Sequence, residues 1–200
     1  MSRLKTTTWR KRYFNKLLEA KEEAKNLGII NPHIIDIGPG GAVEFLLNLL
    51  PEGQQYTLYE KIKRSVIKPL ESGLRRTGYF RLATSEPHEV YEAFRELNPQ
   101  KLSIIDIESA VIDAAKRSFE GNGCSIPVEY LVLDVANNNI PYQGDIVVTY
   151  NVIQRATCFN RALDNIMASV RQGGLLAISF DDELSGFRRV RDRLYLKESV

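Results

Sequence analysis

A glycine-rich turn near the amino terminus is the segment of this sequence best suited to bind a ligand. It reads Ile34-Ile35-Asp36-Ile37-Gly38-Pro39-Gly40-Gly41, an apolar run with one carboxylate that ends in closely spaced glycines. Glycine lets the backbone approach a ligand that a Cβ atom would exclude. Such turns bind nucleotides where they follow a buried strand of an open α/β sheet. A third glycine at the spacing of a dinucleotide pyrophosphate site is absent, which disfavours a nicotinamide-dependent enzyme.

Other reactive side chains are too few for metal or relay catalysis. Cys124 and Cys158 lie 34 residues apart without zinc-type spacing, and we interpret them as reduced, incidental thiols. His33 and His88 are isolated, and neither has a second ligand at helical spacing. We therefore expect no metal site and no Ser-His-Asp relay.

The composition is that of one globular domain. The 200 residues are 44% hydrophobic and 26% charged, which is typical of a soluble chain of this length. No apolar run approaches the roughly 18 residues of a membrane span, and no secretory signal is recognised, so a cytoplasmic location is expected. The net charge of +2 is concentrated in residues 1–27. We interpret these charges as the solvated face of a helix, and nucleic-acid binding is not expected.

Hydrophobic spacing predicts alternating strands and helices. An amino-terminal helix is predicted over residues 8–27 and is closed by Gly28. The other predicted helices are 42–50, 109–120 and 161–171, the last capped by Asn160 and ended by Gly173-Gly174. The predicted strands are 34–37, 102–107, 128–133, 145–150 and 175–180, followed by an antiparallel pair at 187–192 and 193–197. This order predicts an α/β, Rossmann-like, doubly wound and mostly parallel sheet within a single domain, 1–200.

Residues 51–100 interrupt this rhythm. Apolar residues at helical spacing there include Leu58, Ile62, Val90, Phe94 and Leu97, so we read the segment as a helical insertion. Roughly 50 residues without structure are improbable inside a compact domain. The insertion is either a substrate lid or docking element, or a peripheral decoration or dimer surface. A homodimer is therefore possible, and the oligomeric state stays open.

Five segments resemble, in order, the motifs of class I S-adenosylmethionine-dependent methyltransferases. IIDIGPGG is similar to the first motif, SIIDIESAVIDAAKRS to the second, VEYLVLDV to the third, DIVVTYNVIQ to the fourth and VRQGGLLAISF to the fifth. The resemblance covers residues 33–50 and 101–180, and the ordered set is more specific than any single piece. It implies an S-adenosyl-L-methionine cofactor and methyl transfer to a small-molecule or protein acceptor.

The resemblance also assigns roles to the residues of the first two motifs. Gly38, Pro39 and Gly40 are implied to line the amino-acid part of the cofactor. Asp36 is implied to help hold the ammonium group, through water or the glycine loop. Asp106 is the implied acceptor for the two ribose hydroxyls, because one carboxylate can accept both hydrogens.

The later motifs extend the implied site. Ile107 follows the ribose-binding carboxylate and belongs to the same cofactor contact. Asp134 and the backbone of Val135 are implied to meet the amino edge of adenine, although a turn residue is the plainer interpretation of Asp134 alone. Asn151, with Tyr150 before it, is implied to face the methyl group and the substrate.

Two carboxylates compete for the ribose. A ribose-binding acid usually follows the glycine turn by about 20 residues, and Glu60 lies at that distance, whereas Asp106 is 68 positions after Gly38. A strand ending at Glu60 would leave one strand too many for the simplest sheet. We therefore favour Asp106.

The acceptor is less defined than the cofactor. No general base is evident, since His88 falls in the insertion and His33 precedes the first predicted strand. The absence of an evident base favours a nucleophile that is already ionised, such as a carboxylate. The carboxyl-terminal half also resembles the chemotaxis-receptor glutamate methyltransferases, although the helical amino-terminal domain of that family is missing. Protein-glutamate carboxyl methylation is one alternative, and a non-catalytic S-adenosylmethionine-binding protein of the same fold is another.

Overall fold

Seven strands form one sheet in the part of the chain that the computed structural model describes, namely residues 4–39, 90–91, 93–121, 125–149, 153 and 156–198. The strands are β1 (His33–Ile37), β2 (Lys101–Asp106), β3 (Val128–Val132), β4 (Gly144–Thr149), β5 (Val170–Ile178), β6 (Phe187–Arg191) and β7 (Leu194–Lys197). Their order is β3-β2-β1-β4-β5-β7-β6. Strands β1 to β5 are parallel, and β7 is antiparallel to β5 and β6. The predicted Rossmann-like sheet with an antiparallel carboxyl-terminal pair is confirmed.

One helix precedes β1, and the others lie between strands along the chain. They are α1 (Leu4–Asn26), α2 (Ser109–Gly121) and α3 (Phe159–Ala168), with a 3-10 turn at Arg95–Leu97. Helix α1 ends at Asn26, and the predicted Gly28 caps it, with a φ of 70° that is easily reached only by glycine. The N–H of Gly28 donates to the carbonyl of Lys25 and that of Ile29 to the carbonyl of Ala24, which completes a Schellman ending.

Apolar side chains bury both faces of the sheet. Side chains alternate along a strand, so Ile34 and Ile35 of β1 point to opposite faces, and both are fully buried. On one face Ile34 belongs to a cluster with Leu17 of α1 and residues of α2. On the other face Ile35 belongs to a cluster with Ile166 of α3. Burial on both faces is the reason that the parallel strands are almost continuously apolar.

The carboxyl end of the predicted insertion lies in the hydrophobic core. Val90 and Phe94 are fully buried, and Leu97 is 6% exposed. They pack in the same cluster as Ile34, α1 and α2. Residues 90, 91 and 93–97, which precede β2 in the chain, therefore cover this face of the sheet. The rest of the predicted insertion, residues 51–89, and the predicted helix 42–50 lie outside the described residues.

The predicted boundary between the last helix and β5 is wrong. Helix α3 begins at Phe159, after Cys158 and without a side-chain cap, so Asn160 lies inside it. Strand β5 begins at Val170 and contains both Gly173 and Gly174. A Cβ on Gly174 would lie 2.9 Å from the carbonyl oxygens of Arg171 and Asp145. That glycine therefore permits a close backbone approach inside an irregular β4–β5 ladder and does not end the helix.

None of the described helices combines the length and the apolarity needed to cross a membrane.

Candidate functional site

The crevice where such a sheet binds ligands lies between β1 and β4. Strand β1 pairs with β2 on one side and with β4 on the other, so the strand order reverses at this point. Open α/β sheets bind ligands beyond the carboxyl ends of the strands at such a switch point. The residues that follow β1, β2, β3 and β4 therefore converge at one edge of the sheet.

Asp36 is a buried carboxyl group at this edge. Its side chain is 2% exposed, and its strand neighbours in register are the apolar Ile104 and Val148. Within the described part of the chain its Oδ2 has no hydrogen-bond partner. Burial, and secondarily the negative charge of Asp106, raise the pKa of Asp36 to about 8. A buried, unpaired carboxyl oxygen is the group that a cationic ligand would satisfy.

The turn after β1 has the backbone that the glycine pattern predicts. Gly38 has a φ of 66°, a left-handed conformation that glycine adopts without strain. Its N–H donates to the carbonyl of Ile105 at 2.7 Å, which ties the turn to β2. Pro39 is buried. Gly40, the next residue of the predicted cofactor loop, lies outside the described residues.

Asp106 is the last residue of β2 and stands beside the β1 turn. The N–H of Glu108 donates to its Oδ1 at 2.8 Å, which orients the carboxylate at the start of α2. Ile107 follows it with 60% of its surface exposed, and Val132, at the end of β3, is 52% exposed. The edge thus combines a fixed carboxylate with two exposed apolar side chains.

Asp134 forms a tight turn after β3. Its Oδ1 accepts from the N–H of Ala136 at 2.9 Å, and its Oδ2 accepts from the side-chain amide of Asn137 at 2.7 Å. The bond from Ala136 makes this an Asx turn, and both carboxylate oxygens have partners inside it. Val135 is 6% exposed, and its carbonyl accepts from the side chain of Asn165 at 2.8 Å. The turn is therefore anchored to α3.

Thr149 is a residue of this edge that sequence reasoning missed. It ends β4, is 1% exposed, and its Oγ1 has no hydrogen-bond partner among the described residues. Its register partner on β1 is Ile37, so it points to the sheet face opposite Asp36. A polar residue closing an apolar run was the available signal. Tyr150 and Asn151, the predicted catalytic residues, follow directly and lie outside the described residues.

A cavity of about 810 Å³ opens beside the segment that follows β5. Asp181, Leu184, Phe187 and Tyr195 are among its lining residues. The Tyr195 hydroxyl donates to Oδ1 of Asp181 at 3.1 Å, and Arg189 pairs with the same carboxylate at 2.9 Å. Strand β5 neighbours β4 on the side away from β1, whereas Asp106 ends β2 on the other side of β1. The cavity and Asp106 therefore lie on opposite sides of the β1–β4 switch point.

His33 lies at the other edge of the sheet. It is the first residue of β1 and is 6% exposed. Its Nδ1 donates to the Gln143 carbonyl at 3.1 Å, and its Nε2 lies 2.8 Å from the Ser103 hydroxyl. Burial lowers the pKa of His33 and favours the neutral ring. At roughly 3.3 Å per residue, the strand separates it from Ile37 by about 13 Å, so His33 has a structural role.

The described residues contain no group of three His, Cys, Asp or Glu side chains that could hold a metal ion. Cys158 is exposed and free, whereas Cys124 and His88 lie outside the described residues.

The sequence matches no protein-family model and no curated protein. Solved structures with a similar fold include an S-adenosylmethionine-dependent methyltransferase from Clostridium acetobutylicum, at 11% identity and a TM-score of 0.50. The alignment covers 84% of this chain and 49% of that one. The YcgJ protein from Bacillus subtilis is similar at 12% identity with a TM-score of 0.50, over 82% of this chain and 49% of that one.

This chain thus spans about half the length of both structures. With its strand order and its topological switch point between β1 and β4, the chain has the fold of the class I S-adenosylmethionine-dependent methyltransferases.

Proposed function

We propose that this protein is an S-adenosylmethionine-dependent methyltransferase that acts on a small-molecule or protein group by in-line methyl transfer. The observation that carries the proposal is the buried Asp36 carboxyl at the β1–β4 switch point, whose Oδ2 has no hydrogen-bond partner among the described residues. A buried polar group without a partner is costly, so its position at a ligand crevice calls for a ligand that completes it.

The described residues fit the cofactor. Asp36 and the Gly38 turn would bind the amino-acid part of the cofactor. The ammonium group of the cofactor would compensate the Asp36 carboxylate, and the absence of a Cβ at Gly38 would leave room for the ligand. Asp106 would accept hydrogen bonds from the ribose hydroxyls while Glu108 holds its other oxygen in place. Ile107 and Val132 offer apolar contact for a flat ring. When bound, S-adenosylmethionine supplies a methyl group on a sulfonium centre, and the protein aligns the acceptor and excludes water.

The topology supports Asp106 over Glu60 as the ribose-binding acid. Strand β1 has hydrogen-bonded neighbours on both of its sides, β2 and β4. A strand that ended at Glu60 would have no place beside β1, whereas Asp106 ends the strand that is already there. Glu60 itself lies outside the described residues.

The proposed role of Asp134 at adenine is indirect. Since both of its carboxylate oxygens accept hydrogen bonds within its own turn, its proposed contribution is to shape the loop that meets adenine. The backbone of Val135, fixed by Asn165, is then the candidate for direct contact.

The acceptor is proposed to bind on the β4–β5 side of the edge. The cofactor residues occupy the ends of β1 to β3, which leaves the residues after β4, including Tyr150 and Asn151, and the cavity after β5 for the acceptor. His33 lies at the opposite edge and cannot act as general base there. No described histidine lies on this side of the sheet, so an acceptor that is nucleophilic without deprotonation by an imidazole, such as a carboxylate or a neutral amine, suits this environment.

Incubation with methyl-labelled cofactor and a panel of amines, carboxylates and peptides tests the proposal. Transfer of label that is lost in Asp106→Asn supports an enzyme working at this site. A base-labile product identifies a carboxyl ester, as the glutamate methyltransferase alternative requires, and a base-stable product excludes that alternative. Tight cofactor binding without transfer to any acceptor favours a non-catalytic binding protein.

A further inference from the structure

We propose that Asp36 releases a proton when S-adenosylmethionine binds, so that cofactor affinity rises with pH below neutrality. The inference rests on the proposed function and concerns the regulation of the same site.

The surroundings of Asp36 favour its neutral form. The side chain is 2% exposed, its Oδ2 has no partner among the described residues, and Ile104 and Val148 flank it on the neighbouring strands. The neutral form is favoured because neither solvent nor a hydrogen-bond donor stabilises a negative charge on that oxygen. The raised pKa of Asp36, about 8, agrees with this geometry.

The charged groups that the structure describes around Asp36 do not offset this effect. On β2, Asp106 carries a like charge and opposes ionisation, and β4 contributes the apolar Val148 in register. On the helices of the same face, the described charged side chains are exposed or form ion pairs with other groups. Examples are Lys16, Lys21, Lys25, Glu96, Asp113 and Lys116. No described cation therefore neutralises Asp36 in the free protein.

The cofactor would reverse this balance. It brings an ammonium and a sulfonium group, and a cation within about 4–6 Å of a buried carboxyl favours the ionised form. Asp36 would then pass its proton to solvent and pair with the cation. By linkage, each proton released on binding strengthens the apparent affinity tenfold per pH unit while the pH stays below the pKa of the free group.

Calorimetry of S-adenosylmethionine binding tests this between pH 5.5 and 7, where the cofactor ammonium stays charged. Titrations in two buffers of different ionisation enthalpy measure the protons exchanged. We expect release of nearly one proton per cofactor and an affinity that rises about tenfold per pH unit. Asp36→Asn is expected to release none and to bind with little pH dependence. Asp113→Asn, at an exposed position of α2, is the matched control and should behave like the wild type.

Carbon NMR of the aspartate carboxyls supplies a readout without activity and without dependence on a folded variant. The Asp36 signal should titrate near pH 8 in the free protein and be ionised at pH 6 once S-adenosylhomocysteine, which carries the same ammonium, is added. An Asp36 carboxyl already ionised at pH 6 in the free protein overturns the inference. Cofactor binding without proton release also overturns it while leaving the proposed function intact. Absence of any binding overturns both.

Discussion

Replacing Asp36 by asparagine should make the free protein more stable, and increasingly so as the pH rises. The folded-state pKa of Asp36, about 8, lies above the value of 3.8 for an unperturbed aspartate. Between those two values the unfolded chain is ionised while the folded chain must keep a proton or bury a charge. The folded state then binds more protons than the unfolded state, so the free energy of unfolding falls with rising pH.

The magnitude follows from the pKa difference. Each unit corresponds to about 1.4 kcal/mol, so at pH 7 the carboxyl destabilises the folded state by about 4 kcal/mol relative to a group that does not titrate. Asparagine has the same shape and no charge. The difference in unfolding free energy between Asp36→Asn and the wild type should therefore grow by about 3 kcal/mol from pH 5 to pH 7.

Urea unfolding at pH 5, 6 and 7 measures this difference. Contributions from titrating groups that do not interact with Asp36 are shared by the two proteins and cancel. The contribution of Asp106, which interacts with Asp36, cancels as well while the Asp36 carboxyl stays neutral in the folded protein, because asparagine is also neutral. The packing effect of the amide shifts the difference by a constant and leaves its pH dependence unchanged. A difference that stays constant across the range would refute the reasoning, because Asp36 would then not be neutral in the folded protein.

Three further substitutions test the packing around the sheet by urea unfolding. Phe94→Ala removes a fully buried ring from the core cluster and should destabilise the fold by about 3–5 kcal/mol; a loss below 1 kcal/mol would contradict the core position of residues 90–97. Gly144→Ala places a Cβ 2.8 Å from Cγ1 of Ile35, and we expect the free energy of unfolding to fall by about 1–3 kcal/mol from overpacking. Unchanged stability would mean that β1 and β4 are not closely packed at Gly144. Asn165→Ala removes the hydrogen bonds to the carbonyls of Val135 and Asn138 and should cost about 1–3 kcal/mol. An unaffected midpoint for this variant would show that the loop after β3 is not anchored to α3.

The strands of the sheet could be predicted from the sequence because parallel strands buried on both faces are apolar almost throughout. The alternation of strand and helix then determines the parallel arrangement. The start of β5 could not be predicted, since Gly173-Gly174 favours a helix end by local rules. Only the partner strand shows that Gly174 packs against the carbonyl of Asp145. Local propensity lost to a tertiary contact at that position.

The candidate site also has features that the sequence predicts and features that it does not. The positions of Asp36, Gly38 and Asp106 at strand ends follow from the motif order, because strand ends of a parallel sheet share one edge. The hydrogen bonds of Asp134 depend on the conformation of its own turn, and the unpaired Thr149 hydroxyl depends on which sheet face its strand presents. Neither property follows from the spacing of residues in the sequence, so neither could be predicted before the structure was known.

Calorimetric titration of S-adenosylmethionine into the wild type and Asp106→Asn tests whether this carboxylate binds the cofactor. Asparagine retains one oxygen to accept from the N–H of Glu108. It replaces the other carboxylate oxygen, which would accept from the ribose hydroxyls, by an amide group that only donates. We predict one saturable site in the wild type and a roughly 10–100-fold weaker affinity in the variant, with Asp113→Asn unchanged. No binding at millimolar cofactor, or equal affinity in Asp106→Asn, would contradict this prediction.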